Sequence, residues 1–507
     1  MTGSPPTSDL VTRSDVRLRP DASRTLATLF LPGEELPGDH SRVTAVIDRV
    51  LALDDAEALT TLADLRARFT ARHRAIDEIF CRHYDIVASR LGTRVTPPVD
   101  RRLLIGAYFT HEETPEGAAL TNPSMVAHPD QSGVAAGGLR FILSARAVGE
   151  GHRSSIEFRT GVITVDAQVS IDAPGARLET AQPQPPVHRA SVFWTQLAGL
   201  GAADDTAHLV LDGLGDTFDG ASLRDAIAAL DARLLSRQAS RDVVQRLEWI
   251  AANNYRVTFS ANSDLSERVL TPMGPSESNG VEDARFVRCV DDDGTVTYAA
   301  TYTAYDGTRV VPQLLRTDDF RTFTAHQLSG APAKNKGMAL FPRRIRGRHA
   351  ALSRWDRERL YVAWSDDGLA WADAGVIHAP RRAWELIQVG NCGSPIETTD
   401  GWLVLTHGVG PMRSYAIGAM LLDLDHPGRV IATLPEPLIF PESDESDGYV
   451  PNVVYSCGAL RHLDHLVVPY GVGDQSVAVA LVDLPGLLDR LARAAPGRQP
   501  ASASRRS

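Results

Sequence analysis

From Ser41 to Leu91, apolar residues recur three and four positions apart: Val43, Ile47, Val50 and Leu51, then Leu62, Leu65, Phe69, Ile76 and Phe80. That spacing lines one face of a helix. Asp55 stands between two such stretches, placed to cap the second. The pair Pro97-Pro98 closes the region. Short β-branched or alternating runs at 103–109, 139–144 and 161–171 then predict strands. Residues 172–186, rich in Pro, Gln and Ala, read as a linker or long surface loop. Helical spacing returns over 222–253, with Leu223, Ile227, Leu230, Leu234, Val243 and Leu247.

After Tyr255 the period changes from helical to extended. Apolar runs at 256–260, 297–302, 310–315, 350–353, 360–364, 402–407, 416–422, 453–457, 465–470 and 477–481 alternate with turn signals. Strands at such intervals predict a sandwich, a barrel or a propeller. Two echoes favour the propeller over an irregular sandwich. Thr317-Asp318-Asp319 with Phe320 and Phe323, and Ser365-Asp366-Asp367 with Trp371, repeat a turn about 48 residues apart, the length of a four-stranded blade. Phe158-Arg159-Thr160-Gly161 reads as a degraded earlier copy.

Composition narrows the function classes. Hydrophobic residues at 43% and charged residues at 23% fit a globular chain with a sizeable core. A net charge of −11 argues against nucleic acid or an anionic membrane as partner. No apolar run reaches the length of a membrane span, and Met1 to Asp9 lacks a secretory pattern, so a cytoplasmic location is expected. Cys81, Cys289, Cys392 and Cys457 are scattered, and the histidines lack ligand spacing, so neither a disulfide framework nor a metal is expected. Of 52 basic residues only Lys334 and Lys336 are lysines. A compact ammonium retained among arginines suggests a point charge delivered into a confined site, against the simpler reading of a solvated turn.

Candidate chemistry lies in the polar residues of Gly-rich turns, which a propeller would gather at one funnel. Glu282-Asp283 beside Arg285 offers one carboxylate to hold substrate hydroxyls and one to act as an acid, or else a salt-bridged turn. Lys334-Asn335-Lys336-Gly337, Ser353-Arg354-Trp355, Gly390-Asn391-Cys392-Gly393, Thr406-His407-Gly408 and Tyr470-Gly471-Val472-Gly473-Asp474 are the other such turns.

Taken together and in order, Gly-Val-Glu-Asp-Ala-Arg at 280–285, Asn-Lys-Gly-Met-Ala-Leu-Phe-Pro at 335–342 and Gly-Arg-His-Ala-Ala-Leu-Ser-Arg at 347–354 resemble glycoside hydrolase family 130. Gly-Ser-Pro-Ile-Glu at 393–397, His-Gly-Val at 407–409, Pro-Asn-Val-Val at 451–454 and Tyr-Gly-Val-Gly-Asp at 470–474 extend the match. The family comprises inverting β-mannoside phosphorylases and β-mannosidases on a five-bladed β-propeller. The resemblance implies that Asp283 is the general acid, acting through the mannose 3-hydroxyl. It implies that Lys336, Arg354 and His407 hold phosphate, and that Asn122, Arg146, Arg153, Tyr415 and Asp474 hold sugar. Inorganic phosphate is then a co-substrate and no further cofactor is implied.

An inverting displacement needs an acid on one face of the sugar and a nucleophile on the other. Phosphate arrives anionic and needs cations, whereas water needs a carboxylate base. Here Gln388 stands where the phosphorylases usually carry a lysine, Ala284 replaces a proline and Gly337 an aspartate. Glu385 or Glu445 would be the base of a hydrolytic version. Two cations and a histidine favour phosphorolysis of a β-mannosyl oligosaccharide. Hydrolysis and a non-catalytic carbohydrate-binding propeller are the alternatives.

The expected organisation is mainly β, a five-bladed β-propeller with added N-terminal and inserted α-helical segments. An unordered tail over 1–40 leads to a helical extension at 41–98. A propeller at 99–490 with a helical insertion near 222–253 follows, then a tail at 491–507. The helical segments are expected to cover the funnel, to form a homo-oligomer contact, or only to pack.

Overall fold

The computed structural model describes residues 8–32, 42–91 and 97–495. The chain is mainly β with helical blocks. Of the expected tails at 1–40 and 491–507, residues 1–7, 33–40 and 496–507 lie outside the described residues. Residues 8–32 and 491–494 depart from the expectation, because Val11–Leu18 and Leu26–Leu29 are strands and Leu484–Ala494 is a helix that buries Leu487 and Leu491.

Five successive groups of antiparallel strands follow the chain among the described residues. The first is Ala119–Ala127, Leu139–Val148 and Ser154–Ile163. The second is Gly280–Val290, Val296–Tyr305, Val310–Thr317 and Thr322–Gln327, joined to the first by one parallel pair, Gly280 with Ser154. The third runs from Ala339–Leu340 through His349–Ser353 and Leu360–Ser365 to Ala372–His378. The fourth is Gln388–Asn391, Gly401–Val409, Tyr415–Leu422 and Val430–Thr433. The fifth is Val454–Tyr455, His465–Val472 and Ser476–Asp483, completed at its edge by the N-terminal strand Val11–Leu18.

Alternation along each strand sends one set of side chains into the seam with the next group. Phe158 meets Phe286 and Phe320 between the first and second groups. Leu314 and Met338 share a cluster between the second and third, and Leu352, Val362, Trp402 and Val404 one between the third and fourth. Leu405 and Ile417 pack with Val468 and Tyr470 between the fourth and fifth. Leu120, Phe141, Val467 and Val479 bring the fifth back against the first.

The echo at 317 and 365 is one turn built twice. The Thr317 hydroxyl accepts from the Phe320 amide at 2.8 Å, and Asp319 from the amides of Arg321 and Thr322. The Ser365 hydroxyl accepts from the Gly368 amide at 2.9 Å, and Asp367 from those of Leu369 and Ala370. Each turn joins the third strand of its group to the fourth. Phe158 to Gly161 is no copy; it lies within Ser154–Ile163.

Two helical blocks stand outside these sheets. The first holds Arg42–Ala52, Asp55–Phe69, Ile76–Leu91 and Val99–Tyr108. Residues 103–109, expected as a strand, mostly belong to the last of these helices. A short apolar run does not distinguish a strand from a helix buried on several sides, and Leu104, Ile105 and Phe109 are all buried here. Gly106 lets this helix touch its neighbour: a Cβ there would lie 1.8 Å from the Phe80 carbonyl oxygen. The cap of the second helix is Asp54 rather than Asp55, accepting from the Glu57 amide. The second block is longer than 222–253, because Ala190–Gly199 and Asp205–Leu211 share its core through Phe193, Leu197 and Val210. Among the described residues no helix is long and apolar enough to cross a membrane.

Candidate active site

A cavity of about 250 Å³ collects side chains from all five strand groups. Asn122 and Arg146 come from the first, and Asp283 from the second. Lys336 comes from the loop after Thr322–Gln327, and Arg354 directly follows His349–Ser353. Gln388, His407, Arg413 and Tyr415 belong to the fourth group, and Val453, Tyr455 and Asp474 to the fifth. Neither helical block contributes to this lining.

Irregular backbone aims three of these residues. The pairing of Gly280–Val290 slips between Glu282 and Arg285, and that of Ala119–Ala127 slips between Thr121 and Ser124. Asp283 and Asn122, inside those slips, have φ of 56° and 48°, and Asp474 in its hairpin has φ of 51°. Bulges re-aim side chains, and Asn and Asp are the non-glycine residues that best tolerate left-handed backbone. The Asn122 amide donates to Asp283 Oδ1 at 2.7 Å, while its own oxygen accepts from the Thr121 hydroxyl at 3.2 Å.

The cations are arranged around these carboxylates. Arg146 donates to Glu282 Oε1 at 2.7 Å, and Lys336 donates to the other oxygen of the same carboxylate. Arg285 lies behind Asp283, 4.0 Å from Oδ2, and donates to the Tyr455 hydroxyl at 2.8 Å. Arg354 Nη1 lies 3.2 Å from His407 Nε2, and His407 Nδ1 lies 3.2 Å from the Asn391 carbonyl oxygen. This fixes the imidazole as a neutral ring, with Nδ1–H donating to Asn391 and Nε2 accepting from Arg354. Gly390 makes the arrangement fit: a Cβ there would lie 2.5 Å from His407 Cε1 and 2.8 Å from Arg354 Cδ.

Burial drives His407 well below the ordinary imidazole value, aided by Arg354 and Arg285. For Asp283 burial acts upward, but Arg146, Arg285, Lys336 and the Asn122 amide outweigh it and hold the carboxyl below the usual range. Asp474 is raised by burial and then by the charge of Asp283. In and behind the cavity, Arg146, Arg285, Lys336, Arg354 and Arg413 face Glu282, Asp283 and Asp474. Five positive against three negative charges leave about two positive charges for an incoming anion.

Of the sequence-nominated residues, Asn122, Arg146, Asp283, Lys336, Arg354, His407, Tyr415 and Asp474 line the cavity. Glu282, expected to hold sugar hydroxyls or to form a salt-bridged turn, is not in the lining and bridges Arg146 and Lys336. Arg153 is turned away, lining a separate cleft with Leu26, His111, Glu150 and Pro272. Arg413 and Tyr455 were not singled out as site residues by the sequence, and Val453 entered only as part of the motif at 451–454. The two nominated bases are engaged elsewhere. Glu385 pairs with His378 at 3.1 Å and Arg382 at 3.3 Å, and Glu445 accepts from Tyr470 at 2.6 Å and Arg13 at 3.2 Å.

Residues 241–493 match the family model of glycoside hydrolase family 130, described as beta-1,4-mannooligosaccharide phosphorylase. A 1,2-beta-oligomannan phosphorylase from Thermoanaerobacter sp. (strain X514) is 35% identical over 231 residues, 43% of this chain and 74% of that protein. A beta-1,4-mannooligosaccharide phosphorylase from Ruminococcus albus is 30% identical over 212 residues, 39% of this chain and 62% of that protein. Among solved structures, the Listeria innocua beta-1,2-mannobiose phosphorylase in complex with beta-1,2-mannobiose aligns with a TM-score of 0.45 at 21% identity, covering 74% of this chain and 92% of that one.

Proposed function

Because the chain belongs to glycoside hydrolase family 130, we propose that it is an inverting β-mannoside phosphorylase. It moves a terminal β-mannosyl unit of an oligosaccharide onto inorganic phosphate, giving α-mannose 1-phosphate. The observation that carries phosphorolysis over hydrolysis is the excess of cations around the pocket, with Glu385 and Glu445 both bound away from it.

In this reading a phosphate oxygen attacks the anomeric carbon from the α face while Lys336 and Arg354 hold the anion. His407 orients Arg354 rather than binding phosphate as a cation. The glycosidic bond breaks on the β face, and the leaving oxygen takes its proton from Asp283 through the mannose 3-hydroxyl. Asn122, Arg146, Tyr415 and Asp474 hold the sugar. Asp283 is held ionised in the resting pocket, yet the acid must carry a proton. A phosphate dianion cancels the positive field that depresses its pKa, so binding of the nucleophile raises the fraction of protonated acid.

We also read the five strand groups as blades of a five-bladed propeller, supported by the chain of shared cores and by the N-terminal strand completing the fifth group. The helical blocks then serve as packing elements outside the funnel. A cytoplasmic location is supported by four free cysteines, two of them buried.

The test incubates the protein with β-mannobiose isomers, with and without phosphate, and assays mannose 1-phosphate against free mannose. Phosphate-dependent mannose 1-phosphate is expected. Equal release of free mannose without phosphate would overturn the reading.

A further inference from the structure

Around the cavity, four of the five cations are already engaged. Arg146 and Lys336 share Glu282, Arg285 sits between Asp283 and Tyr455, and Arg354 rests on His407. Arg413 is different. It lines the cavity and is exposed, and among the described residues its guanidinium makes no hydrogen bond or ion pair.

Its backbone sets its place. Met412 and Arg413, both at φ of 56°, are the central pair of the hairpin turn in which the Ser414 amide donates to the Pro411 carbonyl oxygen at 3.1 Å. A two-residue hairpin turn of this kind takes left-handed backbone at both central positions. The turn brings Arg413 to the cavity, where it joins the lining.

The position in the sheet gives this a chemical meaning. Gln388 and Tyr415 flank Val409 from the two neighbouring strands. The turn carrying Arg413 directly continues from Val409 and leads into Tyr415. Gln388 Nε2 reaches toward the Tyr415 hydroxyl at 3.5 Å, a neutral contact in the cavity wall. Arg413 is the cation that this strand pair adds to the same lining, where its charge also acts on the Asp474 carboxyl.

We propose that Arg413 is a phosphate-binding residue, supplying the positive charge that Gln388 does not. The proposal rests on the phosphorolysis reading. A guanidinium offers a planar fork suited to two phosphate oxygens, and Arg354, after His349–Ser353, and Lys336, from the loop before the third strand group, meet the anion beside it.

The test compares the wild type, Arg413→Ala and the double variant Arg413→Ala/Gln388→Lys, measuring KM for phosphate and for mannobiose separately. Inorganic phosphate binding to each is also measured by calorimetry, without sugar. Loss of one charge-assisted contact predicts a rise in phosphate KM and Kd of roughly 10- to 100-fold, with mannobiose KM within about twofold. The lysine at 388 should recover most of that loss. A variant with unchanged phosphate affinity, a loss confined to mannobiose, or no recovery in the double variant would overturn the assignment. If the wild type releases mannose without phosphate, the phosphorolysis reading fails by itself. Calorimetry still decides whether Arg413 holds the anion, and a wild type that binds no phosphate sinks both.

Discussion

The Asn122 side-chain amide donates to Oδ1 of Asp283 at 2.7 Å, and both residues occupy left-handed backbone at slips in their strand pairings. Two local distortions, 161 residues apart in sequence, thus meet in one hydrogen bond. Its donor side favours the ionised carboxylate and fixes where that carboxylate points. Asn122→Gly removes the donor while tolerating the backbone. A hydrogen bond to a charged group is worth about 1.5–3 kcal/mol, so kcat/KM should fall roughly 10- to 100-fold. Without the donor, the Asp283 pKa rises and the alkaline limb of the rate profile moves to higher pH. An alkaline limb that stays in place would show that Asn122 does not tune the acid.

Phosphate binding should take up a proton. The resting pocket depresses the Asp283 pKa through Arg146, Arg285 and Lys336, against burial. The other groups facing it are Asn122, Arg354, His407, Tyr455, Cys457 and Asp474, of which Asp474 opposes ionisation. Adding a dianion makes protonation easier, so calorimetry in buffers of different ionisation enthalpy should report net proton uptake, and phosphate KM should rise with pH. Asp283→Asn should abolish both the uptake and turnover while still binding phosphate. Equal proton uptake by that variant would assign the proton elsewhere, Asp474 being the next carboxyl.

The site was legible where chemistry is written in residue type. Asp283, Lys336, Arg354 and His407 sit in short motifs whose order survives without any structure, and the cavity unites them. What escaped was written in backbone. Nothing in Pro411-Met412-Arg413-Ser414 announces two consecutive left-handed residues. For Glu282 and Asp283 the sequence offered both a site and a salt bridge but not which residue takes which, because adjacent carboxylates look alike in sequence. The strand slip there sends Asp283 into the cavity and leaves Glu282 against Arg146 and Lys336. The strand-rich part after Tyr255 was read from its period-two runs. The helix at Val99–Tyr108 was missed because its apolar run is buried on several sides and lacks a polar face to count.

Buried histidines make acid the weak side of this fold. Burial, then Arg82 and His111, push His83 down to about 4, and burial with Arg316 pushes His326 down to about 4. His407 is driven well below its ordinary value. Each folded-state pKa is depressed, so each contributes stability that is present above the unfolded value near 6.5 and is lost as pH falls toward the folded value. Between the folded and unfolded values the unfolded chain binds more protons at these sites than the folded chain, so stability falls as pH falls. Denaturant unfolding between pH 7 and 4.5 should show this decline, and His326→Gln should reduce its slope by about a third. Stability constant from pH 6.5 to 5 would contradict the burial of neutral imidazoles.

The N-terminal segment is fastened by a buried charge quartet whose disruption should cost stability. Arg24 Nε lies 2.6 Å from Glu116 and its Nη2 2.9 Å from Glu157. Arg159 meets the same two carboxylates at 2.8 Å and 3.0 Å. Arg24 also donates to the Ser266 carbonyl oxygen at 2.8 Å, so one guanidinium ties the link after Val11–Leu18 to the first strand group and to a distant loop. All four side chains are buried, and burial with the charge of Glu157 pushes the Glu116 carboxyl up to about 7, against the opposing pull of Arg159 and Arg24. Arg24→Met leaves the carboxylates with one partner in low dielectric, which predicts a loss of about 3–5 kcal/mol. Arg24→Met/Glu157→Met restores charge balance and should lose less than the single variant. Neither residue lines the cavity, so phosphate affinity of the folded fraction should be unchanged. A double variant less stable than the single would show that the hydrogen-bond geometry of the quartet, and not its charge balance, holds the segment.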